Sequence, residues 1–279
     1  MSGLVIVLEP SDRAARTSAR FVWDLEPGIF KSALTGEFTV GAFHTVSLTG
    51  AGYRFRVAPM CGRYALPVDK DALGIYYEAW ARDTEQLATN FNVAPTTSVY
   101  VIDEKGEQRK LRVASWGLIP RWAKDASMQA KMINARSETA AEKPSFRDSF
   151  KESRCIIPAI GWYEWQRSGP SKVPYFHKLP DEQFVSMAGL LSAWKNPTTE
   201  EWLFTCAILT RSAIDELAYI HDRMPVLLRP NDFTTWLRGN ESEAQEIIDF
   251  DPPRVQAHKV SQMVNATKNN NESLLEPVE

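Results

Sequence analysis

The chain has 279 residues, 44% of them apolar and 24% charged, with a formal net charge of −3. That balance excludes disordered, fibrous and collagen-like classes, and no apolar run approaches the ~20 residues of a membrane-spanning helix. A net negative charge gives no whole-molecule attraction for nucleic acid, so any such binding must come from a local basic surface.

Three cysteines, an odd number in a chain with no export signal, point to free thiols, a reducing compartment and a cytoplasmic setting, nucleoid-associated in a bacterial host. Residues 1–59 carry Gly-containing turns at Gly36, Gly41 and Gly50-Ala51-Gly52 but no long periodic element able to bury a face. They read as a mis-assigned start or a removable leader, with a pro-segment as the rival, and 60–279 as the domain.

Met60-Cys61-Gly62-Arg63 then looks like the beginning of a protein. With Met60 removed, Cys61 would carry an amine and a thiol on adjacent carbons. An α-amine, with a pKa of about 7.7–8.0, is partly unprotonated near neutrality and forms an imine with an aldehyde. The neighbouring sulfur can add to that imine and close a five-membered thiazolidine, which an internal Cys cannot do. The plainer reading is a buried structural Cys.

Asp69 caps an expected helix with Leu73, Tyr76, Tyr77 and Trp80 on one apolar face. Val99–Ile102, Lys105-Gly106 and Leu111–Trp116 read as a hairpin. Further strands are expected at Cys155–Ile160, Trp162–Gln166, Tyr175–Leu179, Phe184–Leu191, Trp202–Thr210 and Val255–Val260, and helices at Ser212–Ile220, Asn231–Leu237 and Ser242–Ile248. Many strands with short turns and scattered helices imply an α+β fold: a mainly antiparallel, curled or barrel-like sheet with peripheral helices.

Four more segments place polar groups inside or beside apolar runs: Asn90-Phe91-Asn92-Val93-Ala94-Pro95, Ile133-Asn134-Ala135-Arg136-Ser137-Glu138-Thr139, Gly161-Trp162-Tyr163-Glu164-Trp165 and His221-Asp222-Arg223-Met224-Pro225. Such placements are costly unless the group is paired or used. Singly, each has a bland reading: Asn134 as a turn residue, Glu164 pointing to water from an alternating strand, His221 at a helix C-terminus.

Together with the Cys-Gly-Arg start, and in this order, these segments resemble the SRAP (SOS response-associated peptidase) family, from Met60 to about Pro277. The resemblance implies a sensor that binds abasic sites in single-stranded DNA and cross-links to the lesion aldehyde through an N-terminal Cys. It implies Cys61 as the source of both nucleophiles, Asn134 holding the sugar or amine, Glu164 shuttling protons and His221 acting on the sugar oxygens. DNA contact is expected from Arg63, Pro95, Trp122 and Arg136. The family often has two adjacent Trp here, whereas Ala123 follows Trp122.

No cofactor or metal is expected, since the Cys and His residues show no ligand spacing. The expected partner is abasic single-stranded DNA, with no membrane association, and the protein is expected to be a monomer. Two alternatives remain: a thiol peptidase that processes itself before Cys61, and a DNA-binding module without covalent chemistry.

Overall fold

The computed structural model describes residues 5–9, 18–22, 61–106, 108–168 and 171–279. The chain divides into two compact units, 1–57 and 58–279. In the first, β1 (Val5–Glu9) pairs antiparallel with β2 (Ser18–Val22). The rest of the expected leader, and Met60, lie outside the described residues.

The second unit begins with β3 (Tyr64–Leu66) and α1 (Lys70–Tyr76). The Asp69 carboxylate accepts from the Ala72 N–H at 2.8 Å, a cap worth about 1 kcal/mol. Leu73 and Tyr77 are buried as expected, but the helix ends before Trp80, which lies in β4 (Ala79–Trp80) and is 43% exposed. The helical period carried Trp80 past the real end, where Glu78 turns the backbone at φ +51°.

After β5 (Asn90–Val93) comes the expected hairpin, β6 (Ser98–Lys105) and β7 (Gln108–Trp116). Then follow β8 (Asn134–Arg136), α2 (Ser137–Ala140), α3 (Arg147–Glu152), β9 (Arg154–Ala159), β10 (Gly161–Ser168), β11 (Ser171–Lys178), β12 (Val185–Lys195) and β13 (Trp202–Ser212). The helix expected over Ser212–Ile220 is one turn, α4 (Asp215–Ala218), because β13 runs on through Arg211 and Ser212 to pair with β14 (Arg223–Pro225). The chain continues through β15 (Leu227–Leu228), α5 (Phe233–Arg238), α6 (Glu241–Asp249) and β16 (Gln256–Lys259).

β13, β12, β9, β6 and β7 pair in sequence, and β7 returns to β13 in parallel through Thr205↔Ser115 and Cys206↔Trp116, so five strands close into a barrel. Closure removes the sheet edges that would otherwise stay unpaired. A second, antiparallel sheet runs β16-β11-β10-β3-β5. The architecture is thus the mixed α+β, mainly antiparallel and barrel-like one expected.

The second sheet packs on both faces, as its alternation requires. Tyr64, Leu66 and Trp162 join the large core, while Ala65, Tyr163 and Phe176 join a smaller cluster with Val260, Val264 and Leu274. β10 begins with Gly161 because a Cβ there would lie 2.3 Å from the His177 carbonyl oxygen and from the Phe176 ring. No described helix is long and apolar enough to cross a membrane.

Candidate active site

β3 and β10 pair antiparallel through Gly161↔Ala65 and Trp162↔Tyr64, and the Tyr163 N–H donates to the Arg63 carbonyl at 2.9 Å. Continuing that pairing brings the segment before β3 over Glu164. The Cys61 backbone N–H donates to Glu164 Oε1 at 2.8 Å, and the two residues are 2% and 3% exposed. Cys61 sits at φ +43°, a left-handed conformation that a side chain of this kind rarely adopts. The nitrogen is an amide in the intact chain.

Burial dominates the electrostatics. It pushes the Glu164 carboxyl up to about 8, outweighing the hydrogen bonds from Cys61 that favour its charged form. Burial also raises the Cys61 thiol well above its ordinary value, and the neighbouring Glu164 adds to the rise. Glu164 is therefore a protonated acid at neutral pH beside a neutral thiol, and the reading of Glu164 as a water-facing side chain is corrected: the strand's alternation turns it inward with Trp162.

His221 and Glu164 line one small pocket with Trp162, His177 and Arg223. His221 Nδ1 accepts from the Arg223 backbone N–H at 3.1 Å and lies 3.1 Å from an Asp222 carboxylate oxygen. The amide contact needs a lone pair on Nδ1 and the carboxylate contact needs a proton there. A neutral ring protonated on Nε2 satisfies the first, and any ring protonated on Nδ1, neutral or charged, satisfies the second, so the two contacts exclude each other.

Asn134 opens β8, which pairs in parallel with β13 through Ile208↔Asn134. The preceding Ile133 carbonyl accepts from Trp116 Nε1 at 2.9 Å and from the Ile208 N–H at 3.0 Å, which pins the start of the strand. Arg136, two residues on, is exposed.

The remaining expected contacts are spread more widely. Arg63 donates from Nη1 to Asn92 Oδ1 at 2.7 Å and to the Val264 carbonyl at 2.9 Å, and its guanidinium lies over the Trp165 ring. Its Nε is buried without a hydrogen-bond partner among the described residues. Asn92 in turn donates to the carbonyls of Val264, Ala266 and Asn269, so the Asn-Val-Ala-Pro segment clamps the C-terminal stretch of the chain. Pro95 is half-buried. Trp122 is 56% exposed and tethered through Nε1 to the Pro144 carbonyl at 3.3 Å. Ala123 packs with Ile119 and Trp194, so the position after Trp122 serves a small core rather than a surface platform.

Three groups escaped the sequence reading. Arg223 forks onto both Glu138 oxygens and donates from Nη2 to the Thr210 carbonyl at 2.6 Å, joining two of the motifs. Burial is the largest single influence and raises the Glu138 carboxyl, but the Arg223 hydrogen bonds, a backbone hydrogen bond and the Arg223 and Arg136 charges together outweigh it and leave the pKa lowered. His177 stacks on Trp162 with centroids 4.9 Å apart, and burial pulls its pKa down to about 3, so it is neutral. Gln166 ties β10 to the loop carrying His221. The β10–β11 register sets His177 opposite Trp162, and nothing in a single sequence gives that register or pairs Glu138 with Arg223. Among the described residues, no three or more His, Cys, Asp or Glu side chains gather as a metal site.

Residues 60–267 match the family described as SOS response associated peptidase (SRAP). The chain belongs to this family. It is 38% identical over 223 residues to the abasic site processing protein YoqW of Bacillus subtilis, an alignment spanning 78% of this chain and 99% of that one. It is 30% identical over 255 residues to the abasic site processing protein HMCES of Xenopus tropicalis, spanning 76% of each. Among solved structures, an X-ray structure of a Bacteroides thetaiotaomicron protein is 27% identical with a TM-score of 0.71, covering 78% of this chain and 100% of the other. The SRAP match begins at Met60 and takes in Cys61, Asn134, Glu164 and His221.

Proposed function

We propose that this chain processes abasic sites, capturing the lesion in single-stranded DNA through Cys61 once residues up to Met60 are removed or never made. The carrying observation is the 2.8 Å contact between the Cys61 nitrogen and a buried Glu164. The relatives named as abasic site processing proteins support the substrate class.

The ring-opened sugar presents an aldehyde. The Cys61 amine adds to its carbon, the carbinolamine oxygen leaves as water and an imine remains. Glu164, as a protonated acid beside that nitrogen, supplies the proton that makes the departing oxygen water, and its carboxylate takes one back from the nitrogen. Sulfur then adds to the imine carbon and its proton passes to nitrogen, closing the thiazolidine. One water is released overall and no oxidant is needed. The raised thiol pKa favours attack by the amine before sulfur, because a buried neutral thiol is a poor first nucleophile.

His221, whose imidazole can give or take a proton, acts on the sugar oxygens during ring opening. Asn134 holds the sugar or the amine in register. Arg136 and the uncommitted nitrogens of Arg63 bind phosphate, Pro95 abuts the residue next to the lesion, and the open face of Trp122 stacks an unpaired base. A thiol peptidase needs a lowered thiol pKa, and burial moves Cys61 the other way. The test is to incubate chain beginning at Cys61 with an oligonucleotide bearing one abasic site. The expected result is a heat-stable band of reduced mobility on a denaturing gel, and no such band would refute the proposal.

A further inference from the structure

Tyr219 lies two residues before His221 and is 56% exposed, yet it is held from both sides. Gln166 Nε2 donates to the Tyr219 carbonyl at 3.1 Å, and the Tyr175 hydroxyl donates to Gln166 Oε1 at 3.4 Å. The Tyr175 ring meets the Tyr219 ring at 87° with centroids 6.0 Å apart. An edge-to-face contact of this kind occupies at most one face of the Tyr219 ring and leaves the other to solvent.

The position relative to the pocket is set by the strand. Glu164 and Gln166 share one face of β10, two residues and about 6.8 Å apart. Glu164 is directly opposite Tyr175 in the β10–β11 pairing. Leu217 and His221 line the pocket, and Tyr219 lies between them in the chain with its carbonyl tied to Gln166, on the face of β10 that carries Glu164. The flank is acidic: Asp215 and Glu216 open α4, and Asp222 is 79% exposed. Carboxylates repel phosphate, so a strand crossing this flank is held by its bases.

We infer that Tyr219 is a stacking platform for the nucleobase adjoining the lesion, on the side of the pocket bounded by α4, with Gln166 and Tyr175 as its positioning residues. The inference rests on the proposed capture of abasic single-stranded DNA. An abasic residue has bases beside it in the strand, and stacking on an aromatic accepts any of them.

The test measures binding of the full-length chain to a single-stranded oligonucleotide with a central tetrahydrofuran residue, which mimics the lesion but carries no aldehyde. Tyr219→Ala is expected to bind at least about fivefold more weakly, with the dependence of affinity on salt unchanged because no phosphate contact is lost. Tyr219→Trp is expected to bind as well as the parent. Replacing the neighbouring base on one side by a second baseless residue should weaken the parent by a similar factor and leave Tyr219→Ala unaffected. Parental affinity in Tyr219→Ala would overturn the inference, as would an equal loss with and without neighbouring bases. Failure of the unsubstituted chain to bind any of these strands, both at full length and when beginning at Cys61, would instead overturn the capture proposal on which it rests.

Discussion

The two faces of β10 carry the same kinds of residue and put them to opposite ends. On one face Tyr163 donates its hydroxyl to the Phe91 carbonyl at 2.8 Å and Trp165 donates to Asn265 Oδ1 at 2.7 Å, so each aromatic body is packed and each polar handle is satisfied. On the other face the Trp162 indole N–H has no partner among the described residues, and Glu164 is desolvated until its pKa reaches about 8. A satisfied face stabilises the fold, whereas a buried polar group without a partner costs stability. One five-residue segment, Gly161–Trp165, thus both anchors the C-terminal stretch and faces the pocket.

The largest expected effect comes from removing the nucleophile opposite the reactive face. Cys61→Ala in a chain beginning at that position should abolish the heat-stable adduct, and Cys61→Ser should leave at most a labile one, both read on a denaturing gel. Next, Glu164→Gln keeps the shape and loses the proton relay. Adduct formation should slow by about 10²–10⁴-fold in single-turnover kinetics while non-covalent affinity for single-stranded DNA changes little. An equal loss of binding would make Glu164 a structural residue like those on the opposite face.

A smaller effect separates the faces by pH. Glu164 binds its proton more tightly in the folded chain, at about 8 against about 4.3 unfolded, so its protonated form favours folding. That contribution is fully present below the unfolded value and is lost as pH rises through the folded one. In the full-length chain, stability should fall by up to about 1.4 kcal/mol per pH unit within that window. Glu164→Gln should flatten the slope in denaturant titrations, and an unchanged slope would contradict the burial argument. On the satisfied face, Tyr163→Phe should cost about 1–3 kcal/mol of stability, leaving the Phe91 carbonyl unpaired, with cross-linking rate unchanged. Arg136→Ala should weaken DNA binding moderately and lower the slope of log affinity against log salt by about one.

Much of this was legible in the residues, and the failures have identifiable causes. Alternation located β9 to β13 within a few residues, and Asp69 marked the start of α1. Local signals could not stop α1 before Trp80 or keep Ser212 in β13, because a backbone turn and a long-range pairing decide those ends. The parallel closure of β7 on β13 joins segments some ninety residues apart and leaves no local trace. At the site, the motifs marked Cys61 and Glu164 as unusual, and the structure brings them into contact. Asn92 looked equally unusual, yet its side chain binds main-chain carbonyls near the C-terminus. A motif signals constraint; the partner distinguishes anchoring from chemistry.

The central claim is that a free aminothiol at Cys61, beside a protonated Glu164, captures the lesion. Intact-mass analysis of chain beginning at Cys61, after incubation with an abasic single-stranded oligonucleotide, tests it most directly. The account predicts a species at the sum of the two masses less one water, formed by this chain and not by full-length protein retaining residues 1–60. The same species arising from the full-length protein would contradict it.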